Sequence, residues 1–247
     1  MSRSQLVAGV HSVRTSLKHG AGSVLEIWVE ARRRDRRIKE VIGLARDAGL
    51  KVLQVSREEL DQLVPGANHQ GVVARTEVPA ALGEGELKSL LQDLDGPPFL
   101  LVLDGVQDPH NLGACLRSAD GAGVHAVVTP KDRSAGLTPT AVKVACGAAE
   151  TVPFIQVTNL ARTLRWLSEE LGIWLVGTAG EAEAELYQAD LKGPLAIVMG
   201  AEEKGMRRLT REACDQLVKL PMAGSVESLN VSVAAGVCLF EAVRQRS

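Results

Sequence analysis

The strongest constraint on the fold is a series of short, mostly apolar runs in the second part of the chain. From Phe99 onward these runs alternate with helical stretches, and they are FLLVLD, HAVVT, VPFI, IWLVG, LAIVM and QLVKL. Apolar strands separated by amphipathic helices are typical of a parallel sheet covered by helices on both faces. We therefore predict an α/β fold whose ligand lies beyond the carboxyl ends of the strands.

A second, smaller α/β domain is predicted in the first 76 of the 247 residues. Its predicted elements are strands at 24–29, 51–55 and 71–75, a helix at about 36–48 and a short helix after Ser56. Proline and glycine then cluster around one weak helical stretch, which is typical of a linker. The predicted division is 1–76 for the small domain, 77–98 for the linker and 99–247 for the large domain.

The charge of the chain divides in the same region. Residues 1–76 carry a net charge of +5, whereas residues 77–247 carry −7. Such an asymmetry indicates that the small domain meets a polyanion. Its basic run is either a solvated helix face or a patch that contacts phosphates. The candidate RNA-binding residues in this run are Arg32, Arg33, Arg34, Arg36 and Arg37.

Several classes of site and location are disfavoured by residue spacing. The four cysteines form no CxxC pair, and no two histidines have metal-ligand spacing, so we expect reduced structural thiols and no metal. The apolar runs fall short of the roughly 18 residues of a membrane helix, and the N-terminus has no signal-like apolar stretch. A cytoplasmic location is therefore expected.

Two common nucleotide sites are also disfavoured. No strand is followed by GxGxxG, the fingerprint of dinucleotide-binding domains. Gly200 and Gly205 have the glycine spacing of a phosphate-binding P-loop, but Met206 and Arg207 stand where that loop needs lysine and serine or threonine. The sequence therefore favours neither a nicotinamide cofactor nor ATP.

Polar residues follow several of the predicted strands. Asn111 is suited to cap the helix that begins there, and Arg117 on that helix either pairs with an acid or holds a phosphate. Glu202 is either an exposed loop acid or a functional group. Ser228 and Asn230 precede the last helix, where capping and packing compete with a functional role.

Three segments carry a family resemblance, and they occur in the order DGVQDPHNLGACLRSADGAGVHAVV, LAIVMGAEEKGMRRLT and LPMAGSVESLNVSVAAGVCLFEAVRQ. Together they resemble the motifs of the SpoU (TrmH-like) branch of the SPOUT RNA methyltransferases. With the N-terminal VHSVR and ANHQGVVAR, the whole chain is similar to bacterial 23S rRNA guanosine 2′-O-methyltransferases of that branch.

The resemblance implies S-adenosylmethionine as methyl donor. It implies as acceptor the ribose 2′-hydroxyl of a guanosine in the peptidyl-transferase region of 23S rRNA. It implies an L30e-like RNA-binding domain at the N-terminus and a C-terminal domain with a deep trefoil knot. The implied partners are 23S rRNA or the pre-ribosomal large subunit, and a second copy of the chain that binds through the C-terminal domain.

The same resemblance implies roles for individual residues. The implied catalytic residues are Asn111, Arg117, Glu202, Ser228 and Asn230. The implied cofactor-binding residues are Thr178, Ala179, Gly180, Gly200, Leu220, Met222 and Leu229. No residue is identified as the base that removes the hydroxyl proton. The alternative is a non-catalytic RNA-binding or ribosome-assembly factor, and the presence of all five polar motif residues favours the enzyme.

Overall fold

The computed structural model describes residues 4–19, 21–33, 35–78, 80–202 and 204–247. These residues form two compact units. Unit 1 lies within Met1–Ala80 and Leu137–Thr151, and unit 2 lies within Ala81–Gly136 and Val152–Ser247. Within the described residues, no helix is both long enough and apolar enough to span a bilayer.

Strands and helices alternate along most of the chain. The strands are β1 (Ser4–Ala8), β2 (Val24–Glu30), β3 (Val52–Val55), β4 (Val72–Glu77), β5 (Phe99–Asp104), β6 (Ala126–Pro130), β7 (Phe154–Val157), β8 (Trp174–Thr178), β9 (Ala184–Glu185), β10 (Leu195–Gly200) and β11 (Gln216–Lys219). The α-helices are α1 (Val10–His19), α2 (Arg36–Asp47), α3 (Arg57–Leu63), α4 (Glu84–Gln92), α5 (Pro109–Gly121), α6 (Pro139–Ala145), α7 (Ala148–Thr151), α8 (Leu160–Glu169), α9 (Arg208–Glu212) and α10 (Val231–Arg246).

Unit 1 is built on a mixed sheet with the strand order β1-β4-β2-β3. Strand β4 is antiparallel to both β1 and β2, and β2 is parallel to β3. Local side chains fix where the helices begin: Asp35 accepts hydrogen bonds from the backbone at the start of α2, and Ser56 forms a capping box with Glu59 at the start of α3. The predicted strands and helices of this region are confirmed, whereas β1 and α1 were not predicted.

Unit 2 is built on a sheet with the order β7-β6-β5-β10-β8-β11-β9. Every neighbouring pair in this sheet is parallel. The prediction of a parallel α/β sheet is therefore confirmed, and the six apolar runs correspond to β5, β6, β7, β8, β10 and β11. The trefoil knot of unit 2 and the L30e-like character of unit 1 are not tested by strand order, and they stay predictions.

The predicted linker contains residues that pack as part of unit 2. Leu87 of α4 is fully buried in the core of this unit. The backbone of Leu82 exchanges hydrogen bonds with Phe154 and Gln156 at β7, at 2.9 and 2.8 Å. The first boundary between the two units falls after Ala80, inside the predicted linker, whereas Leu137–Thr151, which the predicted division placed in the large domain, belongs to unit 1.

Candidate active site

A cleft of about 380 Å³ opens at the carboxyl ends of the unit 2 strands, and we call it the strand-end cleft. It is bounded by the ends of β8, β10 and β11 and by the segment that leads into α10. All seven residues expected to contact the cofactor line it, namely Thr178, Ala179, Gly180, Gly200, Leu220, Met222 and Leu229. This is the position at which parallel sheets bind ligands.

The loop after β10 folds back tightly onto Gly200. Ala201 and Gly205 exchange two backbone hydrogen bonds, of 3.2 and 2.8 Å, and Gly205 has a φ of +61°. A Cβ atom on Gly200 would lie 2.2 Å from the backbone of both Gly205 and Met206. Only glycine at position 200 allows this approach, which shapes one wall of the strand-end cleft.

A buried acid at the end of β5 holds the same loop from the other side. The Asp104 side chain is fully buried, and its carboxylate accepts hydrogen bonds from the backbone N–H and the Nε of Arg207, at 2.8 and 2.6 Å. A buried carboxylate is stable only when its oxygens are satisfied in this way. Sequence reasoning missed Asp104, although a charged residue that ends an apolar strand was the available signal.

The three family motifs meet in one hydrogen-bonded network. The Nδ2 of Asn111 donates to the Glu202 carboxylate, and the Nδ2 of Asn230 donates to the Oδ1 of Asn111 at 3.0 Å. The Oδ1 of Asn230 accepts from the backbone N–H and hydroxyl of Ser232, at 2.9 and 2.6 Å. Each amide is therefore held in a defined orientation. We call Asn111, Glu202 and Asn230 the amide–acid network.

The two capping assignments have different outcomes. Asn230 caps α10, as predicted. Asn111 does not cap α5, because that helix begins earlier and Asp108 caps it by accepting a 2.9 Å hydrogen bond from the backbone of His110. The reason is Pro109, whose missing N–H and fixed φ suit the first helical position. Asn111 is thus inside the first turn, where its side chain reaches Glu202.

The remaining two candidate catalytic residues lie in different surroundings. Ser228 lines the strand-end cleft, as does Glu202. Arg117 is exposed on α5 and is not among the described residues that line the cleft.

Charged side chains that sequence reasoning did not select also line the strand-end cleft. The acids are Glu181 and Glu227, and the bases are Lys204, Arg211 and Lys219. Arg211 donates a hydrogen bond to the Glu181 carboxylate, which ties the loop after β8 to α9. With Glu202, three carboxylates and three basic side chains line a cleft that also has apolar walls, a combination suited to a ligand that carries charges of both signs and a flat ring.

Burial keeps three of the cysteine thiols of unit 2 neutral. Burial, with the nearby Glu202 charge, raises the pKa of Cys115 to about 12. Burial and the charges of Asp215 and Asp104 raise the pKa of Cys214 to about 12, and burial raises the pKa of Cys238 to about 12. Because the thiolate is the reactive form, these three cysteines act as packing residues.

The candidate RNA-binding arginines of unit 1 lie at and before the start of α2. Arg32, Arg36 and Arg37 are exposed. The Nε of Arg33 donates to the Asp35 carboxylate at 2.6 Å, and that hydrogen bond is the main reason why the pKa of Asp35 lies below its ordinary value. Arg34 lies outside the described residues.

Two family descriptions match the two parts of the chain. Residues 98–240 match the SpoU rRNA Methylase family. Residues 6–80 match the family described as RNA 2'-O ribose methyltransferase substrate binding.

Full-length relatives and solved structures agree with these matches. The chain is 61% identical to the 23S rRNA (guanosine-2'-O-)-methyltransferase RlmB of Ralstonia nicotianae, over 100% of this chain and 98% of that one. It is 57% identical to the protein of the same name in Escherichia coli K12, over 99% and 100%. A crystal structure of an RNA 2'-O ribose methyltransferase is similar with a TM-score of 0.77 and 31% identity, over 99% and 89%. The AviRb methyltransferase of Streptomyces viridochromogenes in complex with AdoMet is similar with a TM-score of 0.77 and 25% identity, over 98% and 90%.

Proposed function

The chain belongs to the SpoU rRNA methylase family, and on that premise we propose that it transfers a methyl group from S-adenosylmethionine to the ribose 2′-hydroxyl of a guanosine in 23S rRNA. One structural observation carries the proposal. The strand-end cleft is lined by all seven expected cofactor residues, and Glu202 on its wall belongs to the amide–acid network. We therefore place the methyl donor in the strand-end cleft, with Glu202 on its wall.

The residues of the strand-end cleft fit S-adenosylmethionine. Leu220, Met222 and Leu229 supply apolar lining for a flat ring, and the close approach at Gly200 adds backbone to the lining. The carboxylates at the cleft complement the positive charges of the sulfonium and the amino group, and its basic side chains complement the carboxylate of the donor. The bound donor supplies an electrophilic methyl group on its positively charged sulfur.

The chain's own side chains position the RNA and stabilise charge during transfer. As the 2′ oxygen bonds to the methyl carbon, the carbon–sulfur bond of the donor would break and the hydroxyl proton would pass to a base or to water, so the oxygen carries partial negative charge while its proton is leaving. We assign Arg117 to the adjacent phosphate, which its planar guanidinium can hold with two hydrogen bonds, and to stabilisation of the developing charge. The hydrogen bonds of the amide–acid network hold the three motif segments in fixed positions relative to one another. We assign to Ser228, which lines the strand-end cleft, a polar contact with a molecule bound there.

A transfer assay separates the enzyme from a non-catalytic binding factor. Labelled S-adenosylmethionine is incubated with unmodified 23S rRNA, and with 16S rRNA as the control substrate. Our proposal expects label in 23S rRNA alone. Binding to 23S rRNA without transfer would support an assembly factor and reject the enzyme. Since rRNA is the substrate, we propose that the protein acts in the cytoplasm.

Ligand specificity provides the first prediction. S-adenosylmethionine should raise the melting temperature, whereas ATP and NAD at equal concentration should not, because the loops lack both nucleotide fingerprints. A ligand that binds only the folded state stabilises it by about 2.7 kcal/mol at 100 times its Kd. Scanning fluorimetry measures the shift, and an equal shift with ATP would reject the cofactor assignment.

The second prediction concerns a homodimer through α10. The small residues of this helix are used within the chain, since Ala235 is buried and a Cβ on Gly236 would lie 3.6 Å from Ser118. The surface left for a partner is Val233 and Phe240, which are 53% and 52% exposed. We expect light scattering to give a dimer mass for the wild type and a lower mass for Val233→Glu/Phe240→Glu. A monomeric wild type at micromolar concentration would contradict the proposal.

The third prediction concerns the exposed arginines of unit 1. Replacing Arg32, Arg36 and Arg37 by alanine should weaken RNA binding and flatten its salt dependence, because each lost phosphate contact reduces the log–log slope by about 0.7–0.9. Affinity for a 23S rRNA fragment is measured at several salt concentrations. S-adenosylmethionine binding, which depends on unit 2, is the folding control. An unchanged slope would mean that the run is a solvated helix face.

A further inference from the structure

Unit 1 contains a further cleft, of about 300 Å³. It lies between the end of β2 and residues 67–71, with the sequence ANHQG, which we call the ANHQG loop. We propose that this polar cleft binds the base of an unpaired nucleotide of the RNA substrate, with Asn68 and Gln70 contacting the base edge. The inference rests on the proposed function, because it assigns part of the same substrate to unit 1.

The ANHQG loop is built around a buried histidine. His69 is 4% exposed, and both nitrogens of its ring are satisfied. Its Nδ1 accepts a 3.0 Å hydrogen bond from the backbone N–H of Gly71. Its Nε2 therefore carries a hydrogen and donates to the Asp61 carboxylate at 3.0 Å. The histidine thus fixes the loop to α3 before any ligand arrives.

Backbone hydrogen bonds complete the rigid frame. The N–H of Val72 donates to the carbonyl of His69 at 3.0 Å, and the N–H of Glu30 donates to the carbonyl of Gly71 at 2.9 Å. Gln70 has a φ of +49°, a left-handed conformation that is unfavourable for a residue with a side chain. Such conformations persist where the surrounding structure imposes them, and they cluster at ligand sites.

The two residues that flank His69 have side chains available to a ligand. Asn68 and Gln70 are both exposed, and both line the polar cleft. Among the described residues, neither side chain has a hydrogen-bond partner. An amide group can donate and accept at once, which is what the edge of a nucleobase requires. The buried histidine therefore presents two unused amides on either side of it.

The other walls of the polar cleft combine both signs of charge. Arg33 and Arg57 line it together with Glu30 and Asp61. The Arg33 side chain packs over Gly71, since a Cβ there would lie 2.6 Å from its Cδ. Because two carboxylates balance the two guanidinium groups, these four side chains carry no net charge that would favour a phosphate. A neutral base with donors and acceptors is favoured instead, and a guanidinium plane can stack on it.

The size of the polar cleft and the family match both support binding of a single RNA base. A volume of about 300 Å³ is at the lower end of the range of ligand pockets, about 300–1,000 Å³, and suits one ring system. The loop lies within residues 6–80, which match the substrate-binding family. RNA is read mainly at unpaired nucleotides whose bases are accessible.

The test is the salt dependence of RNA binding by Asn68→Ala/Gln70→Ala. We expect affinity for an unmodified 23S rRNA fragment to fall about 10-fold or more, with an unchanged log–log salt slope, because base contacts are lost and phosphate contacts are kept. The matched control is Gln54→Ala/Gln62→Ala, which removes two exposed amides of unit 1 outside the cleft. The control variant should bind as the wild type does.

Two results would overturn the inference. One is wild-type affinity of the Asn68/Gln70 variant, and the other is a loss of affinity accompanied by a flatter slope, which would identify phosphate contacts. Melting temperature and S-adenosylmethionine binding are measured on every variant. Methyl transfer by the wild type to the same RNA is measured first, so failure of the proposed function is seen separately from failure of this site.

Two substitutions of Gln70 distinguish a contact between its side chain and RNA from an effect on the folding of the ANHQG loop. Gln70→Gly removes the amide and relieves the left-handed backbone, so we expect weaker RNA binding at an equal or higher melting temperature. Gln70→Asn keeps an amide on a residue that tolerates this conformation, and it should retain more affinity than the glycine variant. Equal affinities of these two variants and the wild type would show that the side chain does not contact RNA.

Discussion

Replacing Gly200 by alanine is expected to weaken the binding of S-adenosylmethionine by about 100-fold or more. The new Cβ would lie 2.2 Å from the backbone of Gly205 and Met206, a distance at which the loop must move. Overpacking of this kind costs about 1–3 kcal/mol even where flexible side chains can adjust. Here the neighbouring atoms are backbone, so the displaced loop changes the wall of the strand-end cleft. Calorimetry with the cofactor measures the loss.

A second glycine in the same unit provides the control. A Cβ on Gly193 would meet no atom within 4 Å. We therefore expect Gly193→Ala to bind the cofactor as tightly as the wild type. If Gly200→Ala is folded and binds S-adenosylmethionine normally, the strand-end cleft is not the cofactor site.

Replacing Arg117 by alanine is expected to reduce turnover by about 100- to 1,000-fold, the size of effect seen when one group that stabilises developing charge is removed. Cofactor affinity should stay close to the wild-type value, because Arg117 is exposed on α5 and is not among the described residues that line the strand-end cleft. Single-turnover transfer and calorimetry measure the two quantities.

The control for charge is an arginine elsewhere on unit 2. Arg165 is exposed on α8 and lies outside the strand-end cleft. Arg165→Ala should therefore keep both turnover and cofactor affinity. A folded Arg117→Ala variant that loses cofactor affinity would show that Arg117 belongs to the donor site and not to the RNA site.

The sheet of unit 2 could be predicted because its strands are buried on both faces. Every residue of β5 is buried, and such a run is apolar for physical reasons that the sequence displays directly. Strand β9 has two residues and β1 has a mixed pattern of partly exposed positions, so neither gives a periodic signal. Short or edge strands are defined by their partners, and the partners are distant in sequence.

The sequence predicted which loops form the candidate site, but it did not predict which side chains in them contact each other. Recognition of three motifs placed Asn111, Glu202 and Asn230 in one family pattern. Their hydrogen bonds join residues 91 and 119 positions apart, and no local property of the sequence states which atoms meet. The role of Asp104 was missed for the same reason, because its partner Arg207 is 103 positions away.

The identity of the modified nucleoside decides whether the protein is a guanosine 2′-O-methyltransferase. Unmodified 23S rRNA is incubated with the protein and S-adenosylmethionine, digested to nucleosides and analysed by mass spectrometry. We expect 2′-O-methylguanosine, formed in equal amount to S-adenosylhomocysteine, and an initial rate about 100- to 1,000-fold lower when Arg117→Ala replaces the wild type. A methyl group on a base, a methylated nucleoside other than guanosine, or no incorporation by a folded protein that binds the cofactor would contradict it.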